Sequence, residues 1–546
     1  MQKQAIFQSK LLPYALVAPQ LAIVLIFFYW PAAQAVIQSF LLQDAFGLST
    51  SFVWFENYLE LFKDPAYFAA IIRTFAFSLA IAVSSLSFAL LLSGCAAFSP
   101  DAGMSGVADV VSNTIRKDVI AVRSVEDGER ADALVTQLLR RTLSVESAVQ
   151  IALLNNRGLQ AAYNELALAE ADAIEQSLPP NPTFSLSRIS GDGGFEFERQ
   201  VVGDILALAT LPFRSEIARR RFHEAQLRAA LETLRLAADV RRAYYQAAGS
   251  SELAALLSDT KTTAETIAQL AEKLGQTGGL NKLDQAREQV FYAEITADLA
   301  TARQQATSAR ERLARLLGVW GGQVDFKLPK ALPALPRSPK SLPNIEVEAV
   351  GRRVDLQMAR IELDLLAKAL NLTEATRFVT LLDLAGISRK TKEPEGAPFR
   401  QRGFDLQLQI PIFDGGEVRV RQAAESYNIA LNRLTEKAVN VRSEARDAYR
   451  VYRSTYDIAG HYQREVVPLR NIISDEAQLR YGSMQIDVFA LLAEAKLRIA
   501  AQRASIDARR DFWLAHSDLQ SVVDGGGRSE NQPESRPSTN SLASGG

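Results

Sequence analysis

The stretch Phe404-Asp405-Leu406-Gln407-Leu408-Gln409-Ile410-Pro411-Ile412 alternates apolar and polar side chains, which predicts a strand with one apolar and one polar face. Asp414-Gly415-Gly416 ends this strand, and a helical pattern begins at Glu417. Apolar or small residues then step by four and three, as in a heptad seam, at Val420, Ala424, Tyr427, Leu431, Leu434, Ala438, Val441, Ala445, Ala448 and Tyr452. No proline or glycine follows until Gly460, so the rod is about 60 Å long or more. A strand that runs directly into such a rod predicts a barrel wall that continues as a helical tube.

The same plan occurs twice in the chain, as a helix, a hairpin, a long helix, a short turn and a return helix. We expect a first repeat at 143–324, a proline-rich linker at 325–344 and a second repeat at 345–523. The predicted strands are 183–189, 195–208, 377–388 and 404–413, with a polar loop at 390–402. The predicted long helices are 215–273 and 417–480, and the return helices begin near 283 and 487.

About four strands per chain are too few to close a membrane barrel, which needs at least eight. An open sheet edge cannot lie in lipid, because its backbone groups would have no hydrogen-bond partners. The pattern therefore predicts a mainly α protein with β strands, in which several subunits share one transmembrane β-barrel above a long coiled-coil tunnel. The alternative is a coiled-coil protein whose short hairpins only cap the rods.

Composition excludes several other classes of function. The chain has 546 residues, of which 48% are hydrophobic and 23% charged, and a net charge of −1, so no nucleic-acid partner is expected. Cys95 is the only cysteine, and the three histidines are far apart in sequence, so we expect no disulfide, metal site or cofactor. No phosphate-binding glycine loop or nucleophile-base pattern favours an enzyme.

Two apolar runs precede the repeats. Leu11 to Trp30 is long enough to span a bilayer and follows Lys3 and Lys10, and Ala66 to Leu92 is interrupted only by Arg73. If both runs span the membrane with the lysines inside, the remainder of the chain is cytoplasmic; if the second is a cleaved signal, the remainder is periplasmic. The first run and its flanks, with Phe27-Phe28-Tyr29-Trp30-Pro31 and Phe55-Glu56-Asn57-Tyr58, resemble the start of sugar and glycerol-phosphate ABC transporter permeases.

The second run ends in Leu92-Ser93-Gly94-Cys95, which resembles a lipobox. That resemblance implies cleavage before Cys95 and acylation of Cys95, whereas the alternative is a cysteine within a second membrane helix. We accordingly expect a permease-like leader at 1–72, a lipoprotein-type signal at 73–94, an extended lipidated segment at 95–142 and a disordered tail at 524–546.

The repeats carry a further likeness. Leu143-Ser144-Val145-Glu146-Ser147-Ala148, Leu178-Pro179-Pro180-Asn181-Pro182, Ile410-Pro411-Ile412-Phe413-Asp414-Gly415-Gly416 and Tyr481-Gly482 resemble the outer membrane efflux protein (TolC-like) family over about residues 140–523. The resemblance implies a homotrimer with a twelve-stranded barrel in the outer membrane of a Gram-negative bacterium and a helical tunnel in the periplasm. The implied partners are outer-membrane lipid, a periplasmic adaptor protein and an inner-membrane pump. The implied function is a passive exit duct, and the alternative is a truncated permease fragment fused to a coiled-coil envelope protein.

A tube of this kind needs a gate at its tip. Members of the family often carry an aspartate after a Leu-Leu pair, but here Ala493 follows Leu491-Leu492. The candidate gate acids are therefore Asp284, Asp487 and Glu494, and the alternative is that these are ordinary solvated helix residues. The sequence pattern does not discriminate among drugs, metal ions, signal molecules and proteins as cargo.

Overall fold

The chain divides at residue 95 into two units in a computed structural model that describes residues 29–43, 50–92, 98–191 and 193–525. The described residues of the first unit form three helices and a short antiparallel pair of strands: α1 (Trp30–Gln38), β1 (Leu41–Gln43), β2 (Thr50–Phe52), α2 (Glu56–Lys63) and α3 (Pro65–Leu92). Helix α3 covers the predicted apolar run Ala66 to Leu92. Across the described residues, none of the helices has both the length and the apolarity needed to span a bilayer. Cys95 and nearly all of the predicted span Leu11 to Trp30 lie outside the described residues.

The second unit contains both predicted repeats. Its first part comprises α4 (Met104–Ile115), α5 (Val125–Leu139), α6 (Val145–Asn155), α7 (Arg157–Ser177), β3 (Thr183–Gly191), β4 (Gly194–Asp204), α8 (Ile205–Gln276) and α9 (Lys282–Leu317). Its second part comprises α10 (Ile345–Arg352), α11 (Val354–Ala375), β5 (Leu381–Lys392), β6 (Phe399–Gln409), α12 (Glu417–His461), α13 (Val467–Gly482) and α14 (Val488–Asp524). The order helix, hairpin, long helix and return helix is confirmed in both parts.

The predicted heptad seam of α12 faces the protein interior. Val441, Ala445 and Tyr452 are at most 1% exposed, and Leu431, which is 41% exposed, is the most accessible residue of the seam. A π-helical turn at Tyr462–Val466 separates α12 from α13, because Pro468 has no N–H to continue the regular helical ladder. The predicted rod 417–480 is therefore present but interrupted.

The expected extended segment before residue 142 is wrong. Helices α4 and α5 fill most of it, and each buries a pair of apolar residues one turn apart, Val107 with Val111 and Ala131 with Val135. The Ser124 and Asp127 side chains form a capping box that starts α5. Helix α4 is rich in poor helix formers such as glycine, serine, valine and asparagine, and α5 begins among charged residues, so both patterns were concealed.

Several strand boundaries also differ from the prediction. The second strand ends at Asp204 and not at 208, because the Asp204 side chain accepts a hydrogen bond from the Ala207 amide and caps α8. The predicted loop 390–402 is largely strand, since β5 continues to Lys392 and β6 begins at Phe399. The predicted strand 377–388 begins only at Leu381.

The last strand ends at Gln409 and not at Phe413, and a turn connects it to α12. Gly416 has a φ of +73°, and a Cβ atom there would lie 2.1 Å from the Arg377 carbonyl oxygen. This position therefore requires glycine.

Candidate functional site

The four long strands form one antiparallel sheet in the order β3-β4-β5-β6. Its register assigns every strand residue to one of two faces, because directly opposite residues point the same way. Face 1 carries, near the helical end of the sheet, a set of apolar residues: Phe184, Leu186, Val201, Leu382, Leu384, Phe404, Leu406 and Leu408. Face 2 is mainly polar and carries all the strand carboxylates: Glu196, Glu198, Asp204, Asp383 and Asp405. The predicted alternation of Phe404 to Gln409 is confirmed and extends across the sheet.

The outer strands β3 and β6 each pair on one side only within the described residues. Phe184 is 64% exposed and Phe404 is 81% exposed, so face 1 is open as well. One chain therefore presents an incomplete sheet with an uncovered apolar face and two free edges.

A charged cleft of about 1000 Å³ opens among α7, α8, α11 and α12. Its lining includes six acids and five bases: Glu232, Asp239, Asp355, Glu362, Glu436, Glu444, Arg235, Arg242, Arg353, Arg433 and Lys437. The Arg353 side chain is buried; its Nε and Nη2 donate to the two Asp355 oxygens at 3.0 and 2.8 Å, and its Nη1 donates to Glu444 at 2.5 Å. This surface is polar and nearly balanced in charge, so it favours neither cations nor anions.

The linker 325–344 is bound across the helices at a level that we call the waist, defined by Tyr449, Tyr452, Tyr456, Phe512 and Trp513. The Tyr456 hydroxyl lies 3.1 Å from the Pro336 and Arg337 carbonyl oxygens, and Trp513 Nε1 donates to the Pro333 carbonyl at 3.0 Å. The Lys340 amide donates to the Tyr452 hydroxyl at 3.0 Å. The linker thus fastens the return helix α14 and the long helix α12 together.

His516 lies within the waist, where its ring contacts the rings of Tyr452, Phe512 and Trp513. Burial lowers the pKa of His516 to about 4, assisted by the positive charges of Lys340 and Arg241. Its Nδ1 atom is buried and has no hydrogen-bond partner among the described residues. The neutral imidazole is therefore the form that fits this aromatic cluster.

The tip, where α8 meets α9 and α13 meets α14, contains the three predicted gate acids. Asp487 is the N-cap of α14 and accepts from the Ala490 amide at 2.7 Å, while Asp284 accepts from Asn281 at 2.6 Å and Arg287 at 3.1 Å in the first turn of α9. Glu494 pairs with Arg470 at 3.3 Å and so links α14 to α13. Within the described part of the chain, none of these three acids is bonded to another.

Sequence reasoning missed a different contact at the tip. Lys496 of α14 lies 3.3 Å from Glu288 of α9 and 4.3 Å from the centre of the Phe291 ring, and Glu288 is only 4% exposed. One heptad further along α14, Arg503 pairs with Asp298 at 2.8 Å. The seven-residue spacing of Lys496 and Arg503 is the signal that could have shown these links. Ion pairs thus join the return helices of the two repeats.

No family model matches the chain. A short segment is 44% identical over 94 residues to the sn-glycerol-3-phosphate transport system permease protein UgpA of Agrobacterium fabrum, and 43% identical over 90 residues to that of Brucella abortus. These matches cover 17% and 16% of the chain, which spans about a third of the length of the curated relatives it matches (32% and 31%). The predicted likeness to permeases is confirmed for a short segment only.

Solved structures match a far larger part. The chain resembles the outer-membrane channel OprN with a TM-score of 0.58 and 19% identity, over 76% of this chain and 95% of that one. It resembles CusC with a TM-score of 0.58 and 19% identity (70% and 92% covered) and the Campylobacter jejuni outer membrane channel CmeC with 0.59 and 14% identity (71% and 87% covered). The chain therefore has the mainly helical fold of the outer-membrane efflux channels, joined to a short segment that resembles a permease.

Proposed function

We propose that this protein is the outer-membrane component of a tripartite export system, a passive trimeric duct for cargo delivered by an inner-membrane pump and a periplasmic adaptor. The observation that carries the proposal is the four-stranded sheet with one apolar face and two free edges, continuous with a helix of 72 residues. Three such sheets, joined edge to edge, would supply twelve strands and leave no edge in lipid. Face 1 would then contact lipid, and face 2 and the charged cleft would line the passage.

The joining of edges is tested by disulfide cross-linking. Ser185→Cys on β3 is combined in turn with Gln401→Cys, Asp405→Cys or Gln407→Cys on β6, all positions on face 2. Because β3 of one subunit would pair with β6 of the next, we expect covalent dimers and trimers for the pair in register, where the Cα atoms lie within about 7 Å.

The matched control replaces Ser185→Cys by Gln200→Cys on β4, an inner strand that cannot lie beside a neighbour's β6. Each single variant, which retains Cys95, gives the background. A folded, membrane-bound protein that cross-links in none of the registers, or equally from β4, would contradict the proposal.

A second part of the proposal concerns the segment before Cys95. We infer that it acts as a leader that is removed before Cys95, and that acyl chains on Cys95 anchor the mature protein. A short segment of the chain matches only about a third of a permease, which supports a leader more than a transport role. Intact mass and amino-terminal sequence of the membrane-extracted protein test this, since a diacylated or triacylated chain beginning at Cys95 is expected. A chain that retains Met1 would favour the alternative, a permease fragment fused to an envelope protein.

The third part concerns the gate. We propose that Asp284, Asp487 and Glu494 stabilise the closed tip: Asp487 as a helix cap, Asp284 through bonds to Asn281 and Arg287, and Glu494 through Arg470. The Lys496–Glu288 pair joins the two repeats and would act as the principal restraint. Opening would require α14 to separate from α9, and an adaptor could drive it only through higher affinity for the open tip.

A further inference from the structure

The cations of the sheet are distributed unequally between its two faces. The register puts six of them on face 1: Arg188, Arg199, Lys390, Lys392, Arg400 and Arg402. Face 2 carries Arg389, which pairs with Glu196 at 2.8 Å and Glu198 at 2.5 Å. The strand positions of face 1 include no carboxylate, and within the described residues none of its six cations forms an ion pair.

These six cations, which we call the basic band, occupy one end of face 1. On β6, Arg402 and Arg400 lie about 7 and 13 Å from Phe404 along the strand. Both are on the side of the hairpin turns and away from the helices. Phe195 and Phe197 lie in the same band, where Arg199 is 4.8 Å from the centre of the Phe197 ring and Lys390 is 5.8 Å from that of Phe195. The side chains of the band are exposed or half-buried, so their charges are accessible.

The cost of exposing charge to lipid predicts the depth at which the basic band lies in the membrane. Lysine and arginine on the lipid face of a barrel are costly at the membrane centre and nearly free of cost at its surfaces. If face 1 contacts lipid, as in the proposed function, the apolar residues lie in the hydrocarbon and the band lies at the surface remote from the helices. Aromatic residues beside it agree with that position, since they are enriched at membrane interfaces.

We propose that the basic band binds the phosphate groups of the glycolipid that forms the outer leaflet of a Gram-negative outer membrane, a lipopolysaccharide. Clusters of four to eight lysines and arginines next to a membrane surface are typical sites for anionic lipid headgroups. Arginine pairs with phosphate through two parallel hydrogen bonds, and four of the six cations are arginines. Neighbouring subunits would together present a continuous ring of such sites.

The test measures lipid binding to the detergent-extracted full chain by native mass spectrometry and by lipid titration. The ligands are purified lipopolysaccharide, the same lipid after enzymatic removal of its phosphates, and phosphatidylglycerol. The test variant is Lys390→Gln/Arg400→Gln/Arg402→Gln, and the control is Arg389→Gln, which removes a cation from face 2 of the same sheet. We expect tighter binding of intact lipopolysaccharide than of either other lipid, and a weakening of roughly fivefold per lost cation, on the order of a hundredfold for the triple variant.

The proposal is overturned if the dephosphorylated lipid or phosphatidylglycerol binds as tightly as lipopolysaccharide, or if Arg389→Gln weakens binding as much per charge as the test variant. This inference rests on the proposed function, and the two can fail separately. If the proposed duct is wrong, no oligomer will be found before any lipid is added. Loss of the lipid site alone would leave intact oligomers that show no preference for the phosphorylated lipid. Heat-dependent mobility of each variant on gels verifies that the oligomer is intact.

Discussion

The waist and the tip of the helical body differ in how their helices are held together. At the waist, Phe512 and Tyr452 are each 1% exposed and Tyr456 is 5% exposed, and the linker is hydrogen-bonded over them. At the tip, Leu479 and Met484 are 71% and 94% exposed, and ion pairs join the two repeats. Close aromatic packing resists separation, whereas the ion pairs at the tip are partly exposed to water and cost less to separate. From this comparison we expect the waist to stay fixed and the tip to be the part that opens in the proposed duct.

The largest expected effect comes from removing a waist ring. Phe512→Ala should lower the free energy of unfolding by about 3–5 kcal/mol, because it leaves a cavity among packed aromatic residues. Met484→Ala at the tip should change it by less than about 0.5 kcal/mol. Denaturation of the detergent-extracted protein, followed by circular dichroism, measures both. Equal losses at the two sites would remove the distinction between waist and tip.

A second expected effect is a loss of stability in acid that originates at the waist. The pKa of His516 is about 4 in the folded protein, below its unfolded value near 6.5, so folding favours the neutral ring. Neutral His516 therefore contributes roughly 3 kcal/mol to the free energy of unfolding above pH 6.5, and this contribution is lost as the pH falls towards 4.

The groups around His516 are the Tyr452, Phe512 and Trp513 rings and the charged side chains of Lys340 and Arg241. His516→Phe keeps the aromatic packing and should remove this part of the pH dependence. The measurement is the denaturation midpoint of both proteins from pH 8 to 4. Parallel pH profiles would show that His516 does not titrate in this way.

A third effect should appear in opening of the tip more than in folding. Lys496→Ala leaves the buried Glu288 without its partner, and we expect the closed state to lose about 1–2 kcal/mol, or roughly a five- to thirtyfold shift towards open. Single-channel conductance in planar bilayers measures the shift. Arg503→Ala, whose pair with Asp298 is nearly half exposed, serves as the control and should have a smaller effect.

The double variant Glu288→Ala/Lys496→Ala shows whether the two residues act together. If they are coupled, its effect on opening should be smaller than the sum of the two single effects. Strictly additive effects, or an unchanged open fraction in Lys496→Ala, would show that the pair does not hold the gate closed.

The smallest expected effect is local loosening of the linker. Tyr456→Phe removes the hydroxyl that bonds the Pro336 and Arg337 carbonyl oxygens and should cost about 1 kcal/mol. Tyr449→Phe is the control, because the Tyr449 hydroxyl accepts only a long bond of 3.4 Å from the Leu342 amide. Hydrogen exchange of linker amides should accelerate more in Tyr456→Phe, and the reverse order would show that the linker is held elsewhere.

Much of this architecture could be predicted from the sequence, since its periodic patterns are long. The seam from Val420 to Tyr452 and the alternation from Phe404 to Gln409 repeat often enough to identify a rod and a strand. Short patterns were less informative, so α4 and α5 were missed, and the charges of Arg389 and its neighbours concealed the ends of β5 and β6. The Lys496–Glu288 pair joins residues 208 positions apart, and the basic band depends on register across four strands. Neither could be derived without the three-dimensional arrangement.

The central claim is that identical subunits complete each other's sheet. Native mass spectrometry of the gently extracted membrane protein tests it most directly, because it counts the chains in the particle. We expect three copies that separate into single chains on heating in detergent. A single copy that is stable in water without detergent and does not associate with the outer membrane would contradict it.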